Sequence, residues 1–147
     1  MDTKQTDIIV LSRLALADFV TDRPYLLISI KEPKSEPVFV LDNPNQVARL
    51  DLDFYDVNCK VDGLKTFCEE DAKAILQIVN LTLPYVNLIV CQCEAGICRS
   101  AGVAAALSMI LKGDDAEFFK PRGPYRPNSF VYKTILNVYQ DSRPFQE

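Results

Sequence analysis

The stretch that decides the fold is NLIVCQCEAGICRSAG, residues 87 to 102. The apolar run from Asn87 to Gln92 predicts a central strand buried on both faces. Ser100 to Leu111 predicts a core helix rich in small residues, which ends at Gly113. The helix start between them presents unpaired backbone N–H groups and the positive end of a dipole. Such a place attracts phosphate and favours an ionised cysteine, so the stretch predicts an anion-binding loop.

The residues within this loop supply the chemistry. Arg99 adds a planar, permanently charged fork that can grip two phosphate oxygens. Gly96 allows the tight backbone in which amides converge on one anion, and the Ser100 hydroxyl can donate to the Cys93 sulfur. A Cys-x5-Arg spacing alone is weak evidence, but the strand before it and the helix after it strengthen the interpretation. The opposing interpretation of Cys93 is an inert buried thiol at a strand end.

Length and composition favour one globular unit. The chain has 147 residues, 48% of them hydrophobic and 24% charged, and it has no low-complexity tract. We therefore expect a single domain, residues 1–147, with one sizeable core. The net charge of −4 gives no support to a nucleic-acid partner, because the basic residues are scattered. Their one local cluster is Lys120, Arg122 and Arg126.

Targeting and compartment follow from three further patterns. Met1 to Asp7 is polar, so we expect no secretion signal. The uncharged tract from Ala74 to Cys93 has polar residues and is divided by Pro84, so we expect no membrane span. Five cysteines are an odd number for a disulfide scaffold, which favours a reducing, cytoplasmic setting.

Hydrophobic periodicity predicts alternating strands and helices, the order that gives an α/β fold. We expect a central, mostly parallel sheet of four to five strands flanked by helices. The predicted strands are Ile8–Leu11, Tyr25–Ile30, Arg49–Phe54 and Asn87–Gln92, with Val38–Leu41 as an additional strand. The predicted helices are Ser12–Phe19, a helix capped by Thr66 and Glu69 that ends near Leu83, Ser100–Leu111, a short helix at Ala116–Phe119, and a last helix capped by Asn128 with Val131, Ile135, Leu136 and Tyr139 facing inward.

The run from Gln92 to Gly102 resembles the signature loop of cysteine-dependent protein tyrosine phosphatases, particularly the compact dual-specificity type. The likeness extends from about Leu50 to Tyr139, and the first 45 residues resemble small microbial phosphatases only loosely. The resemblance implies a phosphatase-type fold and hydrolysis of a phosphomonoester through a phosphocysteine, with no metal and no cofactor. It also implies a phosphorylated protein or a small aryl phosphate as substrate, and a loop that binds phosphate, sulfate or vanadate.

The resemblance also implies roles for the loop residues. Cys93 would attack phosphorus, and Ser100 would steady its thiolate as water cleaves the phosphocysteine. Arg99 would stabilise the equatorial phosphate oxygens together with the loop amides of Glu94, Ala95, Gly96, Ile97 and Cys98. An acid would protonate the leaving oxygen.

The acid is chosen from few groups. The chain has no histidine, so the acid must be a carboxyl group, a cysteine or a tyrosine, and a zinc site is disfavoured. Relatives carry an aspartate upstream of the cysteine, and Asp53, Asp56 and Asp62 all qualify by position. Phe54-Tyr55-Asp56 best matches the aromatic-then-acidic pattern of relatives, so Asp56 is the prediction. Asp53 belongs to an alternating strand, and Asp62 beside Gly63 suits a turn.

Two positions depart from the family pattern. Gln92 stands where relatives usually have histidine, so it can hydrogen-bond the loop but carries no positive charge. Cys98 stands where relatives often have serine or glycine. Ile-Cys-Arg-Ser resembles the low-molecular-weight tyrosine phosphatases, but those carry the loop at the chain start and the acid downstream. Cys98 either traps oxidised Cys93 as a disulfide or is a small packing residue.

Two residues bear on partners and substrate. Asn128 is first a helix cap, with a substrate-side or loop-bracing role as the alternative. The Glu94 carboxylate at the loop mouth should repel polyphosphorylated inositols, which favours phosphotyrosine or another aryl monophosphate. Competing functions are a catalytically weak phosphopeptide-binding module and an arsenate-reducing or rhodanese-like enzyme.

Overall fold

The structure is a computed structural model that describes residues 6–142. The expectation of no secretion signal rests mainly on residues 1–5, which lie outside the described residues. The elements in chain order are β1 (Asp7–Ser12), α1 (Arg13–Ala17), β2 (Tyr25–Lys31), β3 (Gln46–Asp53), α2 (Glu69–Thr82), β4 (Leu88–Cys93), α3 (Arg99–Lys112) and α4 (Ser129–Asp141). Single 3-10 turns lie at Leu83–Tyr85 and Ala116–Phe118.

The four strands form one parallel sheet in the order β1-β4-β2-β3. Every residue of β4 is buried, as its run of Leu, Ile and Val predicts for a central parallel strand. In this register Ser12, the last residue of β1, lies opposite Cys93, the last residue of β4. The carboxyl ends of the strands therefore meet at one edge, where α/β sheets place their ligands. The α/β prediction is confirmed, with four strands.

The two faces of the sheet are covered differently. Helices α2, α3 and α4 pack on one face over a core that includes Ile28, Cys91 and Cys93. The other face is covered by α1 and by the segment after β2, through Leu16 and Val38. Because side chains alternate along a strand, Gln92 points to this second face and Cys93 to the first.

The predicted strand at Val38–Leu41 is wrong, since these residues are irregular. Val38 is buried in the second core, but its carbonyl accepts a hydrogen bond from the Arg49 guanidinium at 3.0 Å. A hydrogen bond from a side chain of the edge strand β3 thus replaces the backbone hydrogen bonds that a paired strand would make here. The β3 strand itself begins at Gln46, three residues earlier than the predicted Arg49, because its pairing with β2 starts at Tyr25.

The cap of α2 is also displaced from its predicted position. Thr66 is not the cap; Cys68 is, and the Asp71 carboxylate accepts a hydrogen bond from the Cys68 backbone N–H at 3.2 Å. The reason lies at Phe67, which is buried against Phe54 with ring centroids 4.9 Å apart. This anchor precedes the cap, so the helix begins only after it.

The remaining helices agree with their patterns, with one correction. α3 is buried over its first ten residues and ends at Gly113 in the left-handed conformation. Asn128 caps α4 by accepting from the Val131 N–H, and Val131 and Ile135 are buried. Leu136 and Tyr139, predicted to face inward, are partly buried, and Leu136 packs against the core; Val138, which was not predicted, is buried.

The uncharged tract that began at Ala74 is divided as Pro84 predicts. It forms most of α2, the 3-10 turn at Leu83–Tyr85, and β4. Among residues 6–142, no helix combines the length and the apolarity needed to cross a membrane.

Candidate active site

The nucleophile candidate lies at the end of the central strand. Cys93 is the last residue of β4, and its Sγ lies 3.0 Å from Oγ of Ser100 in the first turn of α3. Both side chains are buried. The strand-to-helix turn that the sequence predicts therefore brings the thiol and the hydroxyl within hydrogen-bond distance, as the proposed thiolate contact requires.

We call residues Cys93–Arg99 the catalytic loop, and its carbonyl groups are held from outside. Glu94 O accepts from the Arg13 N–H at 3.1 Å, and Ile97 O accepts from the Arg126 N–H at 2.9 Å. Cys98 O accepts at 2.9 Å from the backbone N–H of Asn128. Within residues 6–142, the five amides of residues 94–98 donate to no protein acceptor. Three carbonyls of the loop thus accept hydrogen bonds from neighbouring segments, and its amides are available to bind an anion.

Gly96 is required by the close approach of β1. Its φ of 70° lies in the left-handed region, and a Cβ there would lie 2.7 Å from Ser12 N and 2.8 Å from Leu11 C. No side chain fits without moving backbone. The glycine that the sequence analysis assigns to the loop's curvature also lets β1 pack against it.

Arg99 is buried and fixed by two groups, each in the residue that directly follows a strand, β3 or β2. One terminal nitrogen donates to Phe54 O at 2.8 Å, and the other lies 3.4 Å from Oε2 of Glu32. Its Nε is buried and has no partner among the described residues. The guanidinium is therefore pre-oriented and keeps one N–H for a ligand. Sequence analysis missed Glu32, since nothing in the polar tract after β2 marks it as facing residue 99.

Asp56 lies in the excursion between β3 and α2, which we call the acid segment, residues 55–66. Its base is closed by the Phe54–Phe67 ring contact and by the Tyr55 N–H, which donates to Lys65 O at 2.9 Å. Asp56 itself is exposed. The Asp56 carboxylate contributes to the raised pKa of Cys98, which shows that the acid segment lies beside the catalytic loop.

Asn128 connects the acid segment to the rest of the site. Its Nδ2 donates to Asp56 Oδ1 at 2.7 Å and to Val57 O at 3.0 Å, while its Oδ1 caps α4. The Asn128 side chain is buried, whereas its partner Asp56 is exposed. The Asn128 side chain therefore caps α4, as the sequence predicts, and also holds the segment that carries the acid candidate.

No protein-family model and no curated protein sequence matches the chain. Solved structures do. The human tyrosine phosphatase-like serine/threonine/tyrosine-interacting protein matches with a TM-score of 0.62 at 15% identity, over 91% of each chain. PTPMT1 in complex with PI(5)P matches with a TM-score of 0.60 at 14% identity, over 94% of this chain and 92% of the other. Human DUSP28 matches with a TM-score of 0.59 at 16% identity, over 95% of each.

The fold is that of the small dual-specificity phosphatases. The sequence resemblance implies a signature loop at residues 92 to 102. In the structure these residues lie where the edge of the sheet meets the start of α3. Identities of 14 to 16% establish the fold, so residue roles rest on the geometry of this chain.

The other two acid candidates have different surroundings. Asp53 pairs with the Lys65 ammonium, and this hydrogen bond holds the pKa of Asp53 below its ordinary value. A carboxyl kept ionised is a poor proton donor. Asp62 lies exposed in the turn closed by the Leu64 N–H and Val61 O at 3.1 Å. Of the three aspartates, Asp56 is the one joined to Asn128.

Cys98 sits beside the reacting groups at the start of α3. Burial raises the pKa of the Cys98 thiol, and the nearby Asp56 carboxylate and Cys93 raise it further. The protonated form of Cys98 is therefore favoured beside Asp56 and Cys93. The Cys93–Cys98 disulfide stays a prediction, and peptide mass mapping after mild peroxide would detect it.

Gln92 directly precedes Cys93 on β4. It is fully buried, and its Oε1 accepts a hydrogen bond from Ser29 on the neighbouring strand β2. Its Nε2 has no partner among the described residues. Gln92 thus ties β4 to β2 below the loop without introducing a group that titrates near neutral pH.

Glu94 and Ala95 form the exposed lip of the catalytic loop. The Glu94 carboxylate lies 3.4 Å from the Arg13 guanidinium, so part of its charge is balanced. Arg13 also donates to the carbonyls of Glu36 and Pro37 and thereby joins α1, the loop and the segment after β2. Sequence analysis missed Arg13; Ser12 as a helix cap was the one local signal.

Proposed function

We propose that this chain is a phosphomonoester hydrolase that acts through a phosphocysteine, with phosphotyrosine or a similar aryl phosphate as substrate. One observation carries the proposal. The catalytic loop and the start of α3 hold a buried cysteine sulfur beside a hydroxyl, together with five amides and a buried guanidinium N–H that have no partner among residues 6–142. A tetrahedral dianion supplies the acceptors that these donors lack.

In the first step the Cys93 thiolate attacks phosphorus. The S–P bond forms as the P–O bond to the leaving group breaks, and Asp56 gives its proton to the leaving oxygen. The loop amides and Arg99 donate hydrogen bonds to the equatorial oxygens, where negative charge accumulates. Asn128 holds the Asp56 carboxyl in place for this transfer.

In the second step water attacks the phosphocysteine. The Asp56 carboxylate accepts a proton from that water as the new P–O bond forms, and the S–P bond breaks. The leaving sulfur returns to the thiolate, and the Ser100 hydroxyl, 3.0 Å away, donates a hydrogen bond to it. The products are the free alcohol and inorganic phosphate, and the cycle requires neither a metal nor an organic cofactor.

The five free cysteines suit a reducing compartment, and we place the protein in the cytoplasm. A phosphorylated protein is the partner we propose, and inorganic phosphate, sulfate or vanadate would compete for the loop. Arg99 and Cys93 give no preference between aryl and alkyl esters. The proposed preference for aryl monophosphates rests on Glu94 at the loop mouth, which disfavours polyphosphorylated ligands.

Turnover of p-nitrophenyl phosphate tests the proposal. We expect measurable hydrolysis by the natural chain, inhibition by orthovanadate, and loss of activity in Cys93→Ser. Cys59→Ser, at an exposed thiol in the acid segment, is the matched control and should keep its activity. Equal rates in both variants would contradict the assignment of the nucleophile.

A binding-only function is the second candidate. It is favoured by the similarity to a protein described as phosphatase-like and interacting. Tight binding of a phosphopeptide with no turnover by the natural chain would favour it. Thiosulfate and arsenate as substrates would test the sulfur-transfer and arsenate-reducing alternatives.

A further inference from the structure

Two apolar side chains stand exposed beside the catalytic loop. Leu14, on α1, is 82% exposed, the highest value among the large apolar side chains described, and Phe39 is 64% exposed. The proposed chemistry uses neither of them. An exposed apolar pair next to a site commonly marks a binding surface.

Hydrogen bonds of Arg13 place the segments that carry both residues at the loop. Ser12 lies opposite Cys93 in the sheet, and the Arg13 N–H donates to Glu94 O. Leu14 is therefore the next residue after one that is bonded to the catalytic loop. The Arg13 guanidinium donates to Pro37 O at 3.0 Å, two residues before Phe39. Arg13 therefore links the segment that carries Leu14, the segment that carries Phe39 and the catalytic loop.

The inner neighbours of this pair explain why it faces outward. Leu16 and Val38 are buried together in the second core, so α1 and the segment after β2 are already anchored from below. Leu14 and Phe39 are not needed for that anchoring, since their side chains remain exposed. They are available to a ligand whose phosphate occupies the loop.

We propose that Leu14 and Phe39 form an apolar ledge that receives an apolar side chain flanking the phosphorylated residue of a peptide. The proposal rests on the proposed phosphatase function and deepens it to a substrate class. A peptide fits better than an anionic membrane, which would need an excess of basic residues. Here the two arginines that donate to the segment carrying Phe39 are both paired with carboxylates, Arg13 with Glu94 and Arg49 with Asp51.

Peptide kinetics test the ledge. Two phosphotyrosine peptides, one with leucine and one with serine on both sides of the phosphotyrosine, are compared with p-nitrophenyl phosphate. We expect the natural chain to prefer the leucine peptide by about fivefold in kcat/KM, the effect of partly burying one such side chain. Leu14→Ser and Phe39→Ser should each reduce that preference and leave p-nitrophenyl phosphate turnover unchanged.

Leu81→Ser is the matched control, because Leu81 is 63% exposed at the far end of α2. Equal turnover of the two peptides by the natural chain would overturn the ledge. So would ledge-dependent turnover of phosphoinositide vesicles faster than of either peptide, which would assign the surface to lipid. Absence of any p-nitrophenyl phosphate turnover would instead overturn the proposed function, so the two failures are distinguishable.

Discussion

The catalytic loop and the acid segment, the two regions of the candidate site, are held in place in different ways. The catalytic loop is fixed by backbone: its carbonyls accept from Arg13, Arg126 and Asn128, and Gly96 packs on β1. The acid segment is closed at its base by the Phe54–Phe67 contact, and beyond that base it is tied to the rest of the site by one side chain, Asn128, which donates to Asp56 and to Val57 O. The candidate nucleophile is therefore held by several backbone bonds, whereas the position of the candidate acid depends on one side chain.

This difference has a physical logic. An anion cradle works only if its donors already point to the charge before it arrives, so rigidity is useful there. A general acid must reach leaving groups of different shape, and a lightly tethered segment on the surface can adjust to them. We expect substitutions in the loop to affect all substrates, and substitutions at the acid to affect substrates according to their leaving group.

Arg99→Lys should have the largest effect. Lysine keeps the charge but loses the planar fork, the unpaired Nε donor and the fixed contact with Phe54 O. We expect kcat/KM for p-nitrophenyl phosphate to fall by about 10³-fold. Arg49→Lys, on the edge strand β3, is the control and should change little. A loss below tenfold in Arg99→Lys would mean that the fork is not used.

Asp56→Asn should have the next largest effect, because asparagine cannot supply the proton. We expect a loss of about 10²-fold and the disappearance of the fall in rate at high pH. The loss should be greater for an alkyl phosphate than for p-nitrophenyl phosphate, whose leaving group needs less protonation. Asp62→Asn should behave like the natural chain, and the opposite pattern would move the acid to Asp62.

Asn128 allows its two roles to be separated. Asn128→Asp keeps the oxygen that caps α4 but replaces the N–H that holds Asp56 with an oxygen that repels it, so it should retain the cap and become about tenfold slower. Asn128→Ala should be similarly slow and also lose about 1 kcal/mol of unfolding free energy, from the missing cap. Thermal unfolding and initial rates measure both. An Asp variant with full activity would show that the contact with Asp56 is only structural.

Asp53→Asn should have the smallest effect, and on stability alone. The pKa of Asp53 is lowered in the folded state by its hydrogen bond with Lys65, so its stabilisation is present above the unfolded pKa of about 3.9. It disappears as the pH falls through the lower, folded pKa. Since the pair is partly exposed, we expect a few tenths of a kcal/mol at neutral pH and unchanged turnover. A rate loss in this variant would place the acid at Asp53.

The difference between the catalytic loop and the acid segment also explains what the sequence could predict. The determinants of the catalytic loop are local: an apolar strand, Gly96, Arg99 and a helix that follows at once. The sequence limits the candidates for the general acid to three aspartates. It could not show which of them has the right surroundings, because the contact that distinguishes Asp56 comes from Asn128, 72 residues away. Glu32 and Arg13 were missed for the same reason, since each acts on a segment distant in sequence.

The wrong predictions follow the same rule. A hydroxyl at Thr66 is a better cap than a thiol by local preference, yet the burial of Phe67 against Phe54 moves the cap to Cys68. The apolar run at Val38 suggested a strand, but a side chain of β3 satisfies its carbonyl. In each case a tertiary contact overrode a local pattern.

The most direct test of the account is a crystal structure with orthovanadate. The account predicts vanadium bonded to Cys93 Sγ, with its equatorial oxygens accepting from the amides of residues 94–98 and from Arg99 Nε. A loop that remains empty at saturating vanadate, or one in which Arg99 points away from the bound ion, would contradict it.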